Sequence, residues 1–256
     1  MRKAVRPGEV FALLLAFISI APFCYVLILS FLTPNGVTFD YYYDVFLGSP
    51  QYLLRFWKSM GICLCIVAGQ LVVSVLAGYG FAKCEFKGRD TLLFVLMILM
   101  VLPLQVTLAP NYIMLDKLGL LDTYYALILP SIFIPLGTFI LTQSFKSVSG
   151  DIIDAAKLDG CGMFGLLTKI ILPMNTSGLV CVTLLSFLDG WNMVEQPIAY
   201  IKDFVRYPLS VALAYVPPAD PTLQLVCCIL VVLPPLFLFT YFNRELVEGI
   251  VLAEVK

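Results

Sequence analysis

Few residues in this chain could do chemistry, and their types exclude more than they permit. Among 256 residues there is no histidine. The usual general base, the commonest transition-metal ligand and the side chain that titrates near neutral pH are therefore missing. Eight cysteines are present, but no two stand at C-x-x-C spacing. Cys24, Cys63, Cys65, Cys181, Cys227 and Cys228 lie in apolar stretches, where a thiol serves as a small hydrophobe. Nor does Gly-Lys occur anywhere. A phosphate-binding loop needs that pair followed by Ser or Thr, so that backbone amides and a lysine hold the phosphates. Any ATP-driven work must be powered by another subunit. An intramembrane protease would need paired aspartates, His ligands or a Ser–His pair in its spans, and none is available. The expectation is a chain with no catalytic residue and no metal site.

One polar segment is unusually structured. It runs from Lys146 through Ser149, Asp151, Asp154, Ala155, Ala156 and Lys157 to Gly160 and Gly162. Ser149 is placed to cap a helix, and Asp151 and Asp154 fall near its positive end. Ala155, Ala156 and Lys157 favour helix, while Gly160 and Gly162 can end it. The spacing predicts a helix of about two to three turns outside the lipid. Two readings stay open on these residues. The helix is a capped connector between spans, or it is a knob for another protein, which the small Ala155 and Ala156 would let approach closely.

The elements that must position this segment are apolar. The chain is 61% hydrophobic and 13% charged, against about 25% charged in a soluble domain. Six windows carry no charge: Val10–Leu32, Ser59–Ala82, Thr91–Leu115, Thr123–Phe145, Ile170–Leu188 and Thr222–Asn243. Each approaches the ~20 residues that cross a ~30 Å hydrocarbon core as a helix. A soluble helical protein would show charges along every exposed face. The fold class expected is all-α, a polytopic membrane protein of six transmembrane helices. Val10–Leu32 is too long for the apolar part of a signal peptide and reads as a retained span.

Basic residues set the direction. With the N-terminus inside, the internal segments hold Arg2, Lys3, Arg6, Lys83, Lys87, Arg89, Lys146, Lys157, Lys169, Arg244 and Lys256. The external ones hold Arg55, Lys58, Lys117, Lys202 and Arg206. That asymmetry places both termini in the cytoplasm, and puts Cys84 and Cys161 on the reducing side. The division expected is a cytoplasmic N-terminus at 1–9, a first span at 10–32 and an external loop at 33–58. A five-span core follows at 59–243, with the helical segment at 147–169, and a cytoplasmic tail at 244–256. Residues 189–221 form a longer external segment with room for a short surface helix, its Tyr and Trp read first as interfacial anchors. No ionisable residue is visible at mid-membrane depth, which argues against an ion-coupled carrier. Polar residues inside the windows include Gln70, Gln105, Gln143, Asn175, Thr107 and Thr183. Such groups bond neighbouring helices or line a solute path.

The polar segment resembles a known family. Asp154-Ala155-Ala156 is followed after three residues by Gly160, and after nine more by Ile170-Ile171-Leu172-Pro173. This is similar to the E-A-A motif of the permease subunits of binding-protein-dependent ABC importers, with Asp154 standing where the family has Glu. Further stretches resemble the carbohydrate branch, specifically the maltose-type second permease: Ala77 to Lys83, Phe86-Lys87-Gly88-Arg89, Pro103 to Val106, Leu118-Gly119-Leu120, and Trp191-Asn192. In the last of these Met193 replaces an often acidic residue, and Glu195 follows two positions on. The tail from Gly249 to Lys256 looks similar as well.

The resemblance implies an ABC importer type I permease fold and an ATP-driven importer subunit that moves a sugar or oligosaccharide across the cytoplasmic membrane of a prokaryote. The partners it implies are a second permease, two ATPases, an external or periplasmic solute-binding protein and membrane lipid, with no nucleic acid. No cofactor is implied in this chain, because ATP and Mg would be bound by the ATPases. Asp154, Ala155, Ala156 and Gly160 would be the coupling contacts with the ATPase, and Glu254 and Lys256 a further contact. Gln105, Asn111, Tyr112 and Asn192 are candidates for the sugar path, because sugars ask for hydrogen-bonding groups and an aromatic face. Rival readings are a permease for a non-sugar solute, such as glycerol phosphate or a peptide, and a stand-alone channel or carrier.

Overall fold

A chain in lipid must satisfy its backbone amides internally, and a helix does so within one segment. The computed structural model describes residues 7–33, 36–48, 50–215 and 221–254, most of them helical. The helices that matter below are α1 (Pro7–Phe31), α2 (Pro50–Lys83), α3 (Arg89–Val101), α4 (Leu104–Lys117), α5 (Tyr125–Ile132), α6 (Pro135–Lys146), α7 (Gly150–Leu158), α8 (Met163–Met174), α9 (Thr176–Trp191) and α10 (Pro221–Glu254). A two-residue antiparallel pairing of Leu32–Thr33 with Gly36–Val37 follows α1.

Among the described residues, four stretches are long and apolar enough to cross a membrane: Leu13–Phe31, Tyr52–Lys83, Tyr125–Lys146 and Thr222–Val247. Two further spans are bent, α3 against α4 by 103° and α8 against α9 by 82°. Counting each bent pair as one gives six. The spans expected over Thr91–Leu115 and Ile170–Leu188 are thus each broken by a bend. In the first, Leu102 is extended, with ψ 126°, because the ring of Pro103 disfavours a helical residue before it. Alone, α3 and α4 are 13 and 14 residues long, each roughly 20 Å and short of the ~30 Å hydrocarbon core.

The core is organised on α6. Its Gly137, Thr138, Ile140, Leu141, Thr142, Ser144 and Phe145 are all buried, and it packs against α2, α9 and α10. Small residues permit that approach, as is usual where helices have no hydrophobic drive to associate in lipid. A Cβ on Gly78 of α2 would stand 3.0 Å from Leu141 Cβ and 3.2 Å from the Thr142 backbone nitrogen. One on Gly178 of α9 would stand 2.7 Å from Ser144 Oγ.

Trp191 and Tyr200, expected among interfacial anchors, lie in the interior at 3% and 1% exposure. Pro235 explains the tryptophan. It has no N–H, so the Val231 carbonyl four residues back loses its helical partner. The Trp191 indole N–H donates to that carbonyl at 3.0 Å. The segment after α9 folds into short helices at Glu195–Tyr200 and Leu209–Ala212.

That segment is clasped to the α4–α5 turn by Asp122, whose φ is 59°. Its Oδ1 accepts the backbone N–H groups of Lys202 and Asp203, each at 3.1 Å, and Arg206 donates to its carbonyl and its carboxylate. The Asp203 amide first, then the Lys202 amide, holds the Asp122 carboxyl below its ordinary value. A carboxylate with a depressed folded pKa stabilises above its unfolded value, about 3.9, and loses that effect as pH falls through the folded one. Protection of the Lys202 and Asp203 amides, corrected for intrinsic exchange, is therefore expected to fall on acidification below about pH 4. Asp122→Asn should abolish that dependence, as hydrogen exchange at each pH will show.

Candidate functional site

Two sites emerge, the α7 segment and a polar group between α4 and the end of α9. In α7, Ser149 occupies the N-cap with extended backbone but makes no side-chain cap bond. The far end is closed more firmly. Gly160 has φ 81°, its N–H donates to Lys157 O at 3.0 Å, and the Cys161 N–H donates to Ala156 O at 2.9 Å. This pair of bonds satisfies carbonyls that a helix end leaves open, and only glycine adopts that φ without strain.

The sequence brackets Ala155 and Ala156 together, but the fold separates them. Asp154, Ala155 and Gly160 are exposed. Ala156 is 8% exposed and packs with Val148, Ile153 and Leu166 under partly buried Cys161 and Ile170. Ala156 thus faces the bundle and anchors the helix from beneath. Lys157 pairs with Asp154 at 3.2 Å, with both side chains mostly in solvent, so the pair adds little stability. The outward surface also carries residues that sequence reasoning passed over. Leu158 is 90% exposed, Phe164 78% and Met163 62%. Large apolar side chains in a polar segment were the signal that was available.

α7 is tied to the spans on both sides. Lys83, at the end of α2, donates from Nζ to Val148 O at 2.7 Å. Beyond α8, the bend at Asn175 is stapled by that residue's own side chain. Asn175 Nδ2 donates to Ile171 O at 2.7 Å, and Asn175 Oδ1 accepts from Ser144 Oγ of α6 at 2.8 Å. Pro173 has no N–H to continue the ladder, and a π-turn at Leu167–Ile171 precedes it. α7 is thus joined to the spans through packed and hydrogen-bonded groups.

The second group gathers some of the residues named as path candidates. Gln105 Nε2 donates to Glu195 Oε1 at 2.8 Å. Asn192 is exposed, with its Nδ2 donating to Leu188 O at 3.0 Å. Asn111 is half-buried beside Tyr200, whose hydroxyl donates to Leu108 O at 3.4 Å. Tyr112 is 37% exposed and lies two turns from Gln105, on the same face of α4. Other polar residues of the spans bond locally, Thr107 to Leu104 O and Thr183 to Leu179 O. Glu254 is the last residue of α10, its side chain outside the description, and Lys256 lies outside the described residues.

Comparisons with known proteins bear on the family and the fold. The model of the family described as binding-protein-dependent transport system inner membrane component matches residues 70–248. The chain is 27% identical to the arabinooligosaccharides transport system permease protein AraQ of Halalkalibacterium halodurans, over 94% of this chain and 93% of that one. It is 26% identical to the sn-glycerol-3-phosphate transport system permease protein UgpE of Brucella melitensis, over 77% and 72%. Among solved structures, a bacterial ABC transporter involved in the import of the acidic polysaccharide alginate matches with a TM-score of 0.80. It covers 93% of this chain and 95% of that one, and at 20% identity this is a likeness of fold.

Proposed function

This chain belongs to the family of binding-protein-dependent transport system inner membrane components, and on that premise we propose that it passes sugars or oligosaccharides inward, driven by a separate ATPase that docks on α7. It is an ABC importer permease and not an enzyme. The sugar assignment is supported by the arabinooligosaccharide relative, which matches over nearly the whole of both chains.

The observation that carries the docking proposal is α7 itself. It is a short helix closed by Gly160 and anchored by Ala156, with Asp154, Ala155, Leu158 and Phe164 turned outward. The bias of basic residues toward the segments that include α7 supports placing it, with both termini, in the cytoplasm. The core of residues 59–243 would then rock with α7 as a body, since a coupling element must move rigidly for nucleotide energy to tilt spans. Two ATPases, a second permease and an external solute-binding protein complete the proposed assembly, and the tail at Glu254 and Lys256 gives the ATPase a further contact.

The test is solute-stimulated ATP hydrolysis and uptake by the reconstituted complex. Leu158→Asp and Phe164→Asp together put two charges on the outward surface without touching the anchor below. They are expected to release the ATPase on purification and to reduce uptake at least about tenfold, the factor that 1.4 kcal/mol of lost docking free energy gives. Retention of the ATPase and normal uptake would refute the docking site. The sn-glycerol-3-phosphate relative favours a second reading, a phosphorylated solute, which the same assay decides.

A further inference from the structure

Asp189 changes the picture of where ionisable groups lie. The fifth apolar window ends at Leu188, which leaves this carboxyl to the external segment. The structure instead continues α9 to Trp191. The depth follows from its neighbours. A Cβ on adjacent Gly190 would meet Ile66 Cδ1 at 3.4 Å and the Cα of Cys63 at 3.7 Å, one to two turns inside Ser59, where the charge-free part of α2 begins. Asp189 also lines a small cavity with Ile134, Leu136 and Gly137, halfway along Tyr125–Lys146. The carboxyl thus lies within the charge-free stretches of both spans, and it is exposed at the bundle surface. A carboxyl at that depth is costly against hydrocarbon, and such residues face a bundle interior or a water-filled path.

The cavity holds about 10 Å³ for a water-sized group, which suits one water or one hydroxyl. Gln70 lines it at 3% exposure, and its Oε1 finds no hydrogen-bond partner among the described residues. Ser74, one turn on and fully buried, also has an unpartnered Oγ. It stands 2.5 Å from where a Gly137 Cβ would be. Ser186 has already given its hydrogen to Val182 O at 2.7 Å. No Lys or Arg lines the cavity, and no ion pair engages Asp189 among the described residues. Exposed Asn192 stands three residues on, and the Gln105–Glu195 pair involves the short helix beyond it. The wall thus presents the Asp189 carboxyl and the unpaired Gln70 Oε1, and lacks cations. Buried acceptors left unpaired are expensive, so the chemistry that suits this wall is a donor, an O–H.

We propose that Asp189, with Gln70 behind it, is a hydroxyl-recognition point on the wall of the transport path, and that the solute it selects is a neutral, polyhydroxylated sugar. A carboxylate or phosphate group brings only acceptors and negative charge to a wall that already has both. The proposal rests on the reading that this chain lines an importer's path, and it narrows that reading to uncharged solutes.

The experiment uses the complete transporter in proteoliposomes, with neutral pentose or hexose oligosaccharides, galacturonate oligosaccharides and glycerol 3-phosphate as separate probes. Stimulated ATP hydrolysis and uptake are expected with a neutral probe alone. Asp189→Ala should lower that uptake at least tenfold with basal ATP hydrolysis unchanged, and Asp189→Asn, which keeps one acceptor oxygen, should lose less. In a background with Cys24, Cys65, Cys84, Cys161 and Cys228 replaced by Ser, Asp189→Cys should react with a water-soluble thiol reagent and be protected by the neutral sugar. Uptake of the anionic probes alone, full uptake by Asp189→Ala, or a Cys at 189 that no aqueous reagent reaches would each overturn the site. Those results leave the importer reading standing wherever ATP hydrolysis still responds to a solute. A complex that hydrolyses no ATP with any probe overturns both.

Discussion

An Ala156→Trp variant is expected to insert and to assemble poorly or not at all with its ATPase, so that uptake is lost while the spans stay folded. The cause is packing beneath α7. Ala156 fills a closed site formed with Val148, Ile153 and Leu166, and an indole there has no room. Overpacking of this kind costs about 1–3 kcal/mol where it is absorbed by side chains. Here the cheaper response is for α7 to lift off the bundle, because the opposite surface of the helix is open. Lifting breaks the register between α7 and the spans on which transmission depends. Uptake should fall at least about tenfold, whereas thermal unfolding of the purified chain should shift by only a few degrees. The paired control is Ala155→Trp. That residue is exposed, so its substitution leaves α7 seated and perturbs only what docks on it. Normal uptake from Ala156→Trp would show that α7 does not need its anchor.

Gly78→Leu should have the larger effect on the fold itself. Even one added carbon at Gly78 would stand 3.0 Å from Leu141 Cβ, 3.2 Å from Thr142 N and 3.3 Å from the Leu141 carbonyl carbon. Two of these are backbone atoms of α6 and have no rotamer by which to yield. A leucine must therefore part α2 from α6, the central helix of the core, at a cost of at least about 1–3 kcal/mol. Gly80, two residues on, has nothing within 4 Å of a Cβ. Gly80→Leu is expected to stay within about 0.5 kcal/mol of the parent, as an uncrowded substitution does. Thermal unfolding by fluorescence-detected size exclusion distinguishes the two. Equal midpoints would mean that α2 and α6 are not packed as closely as Gly78 implies.

The two glycines show where sequence reasoning stops. They belong to one short stretch, Ala77 to Lys83, and nothing local separates them. Gly78 meets α6 and Gly80 meets open space because the α2–α6 crossing puts them on different sides. The same holds for Ala155 and Ala156, neighbours in the motif that face opposite ways once Val148 and Leu166 close over one of them. Asn175 reads in the sequence as a polar residue within a span. Only the bend between α8 and α9 shows that its amide replaces helical bonds broken there.

Apolar runs long enough to cross a bilayer, the missing catalytic and nucleotide-binding groups and the Asp154-to-Pro173 spacing were all determined by sequence alone. Each depends on the transfer of a continuous segment into lipid or on residue types at fixed intervals, and both are local quantities. The tertiary structure decided which side of each helix is covered, where α3–α4 and α8–α9 turn, and that Asp189 belongs to the bundle beside Gln70. Those outcomes arise between segments distant in the chain, where close packing around small residues and the pairing of buried polar atoms choose one arrangement over others of equal hydrophobicity.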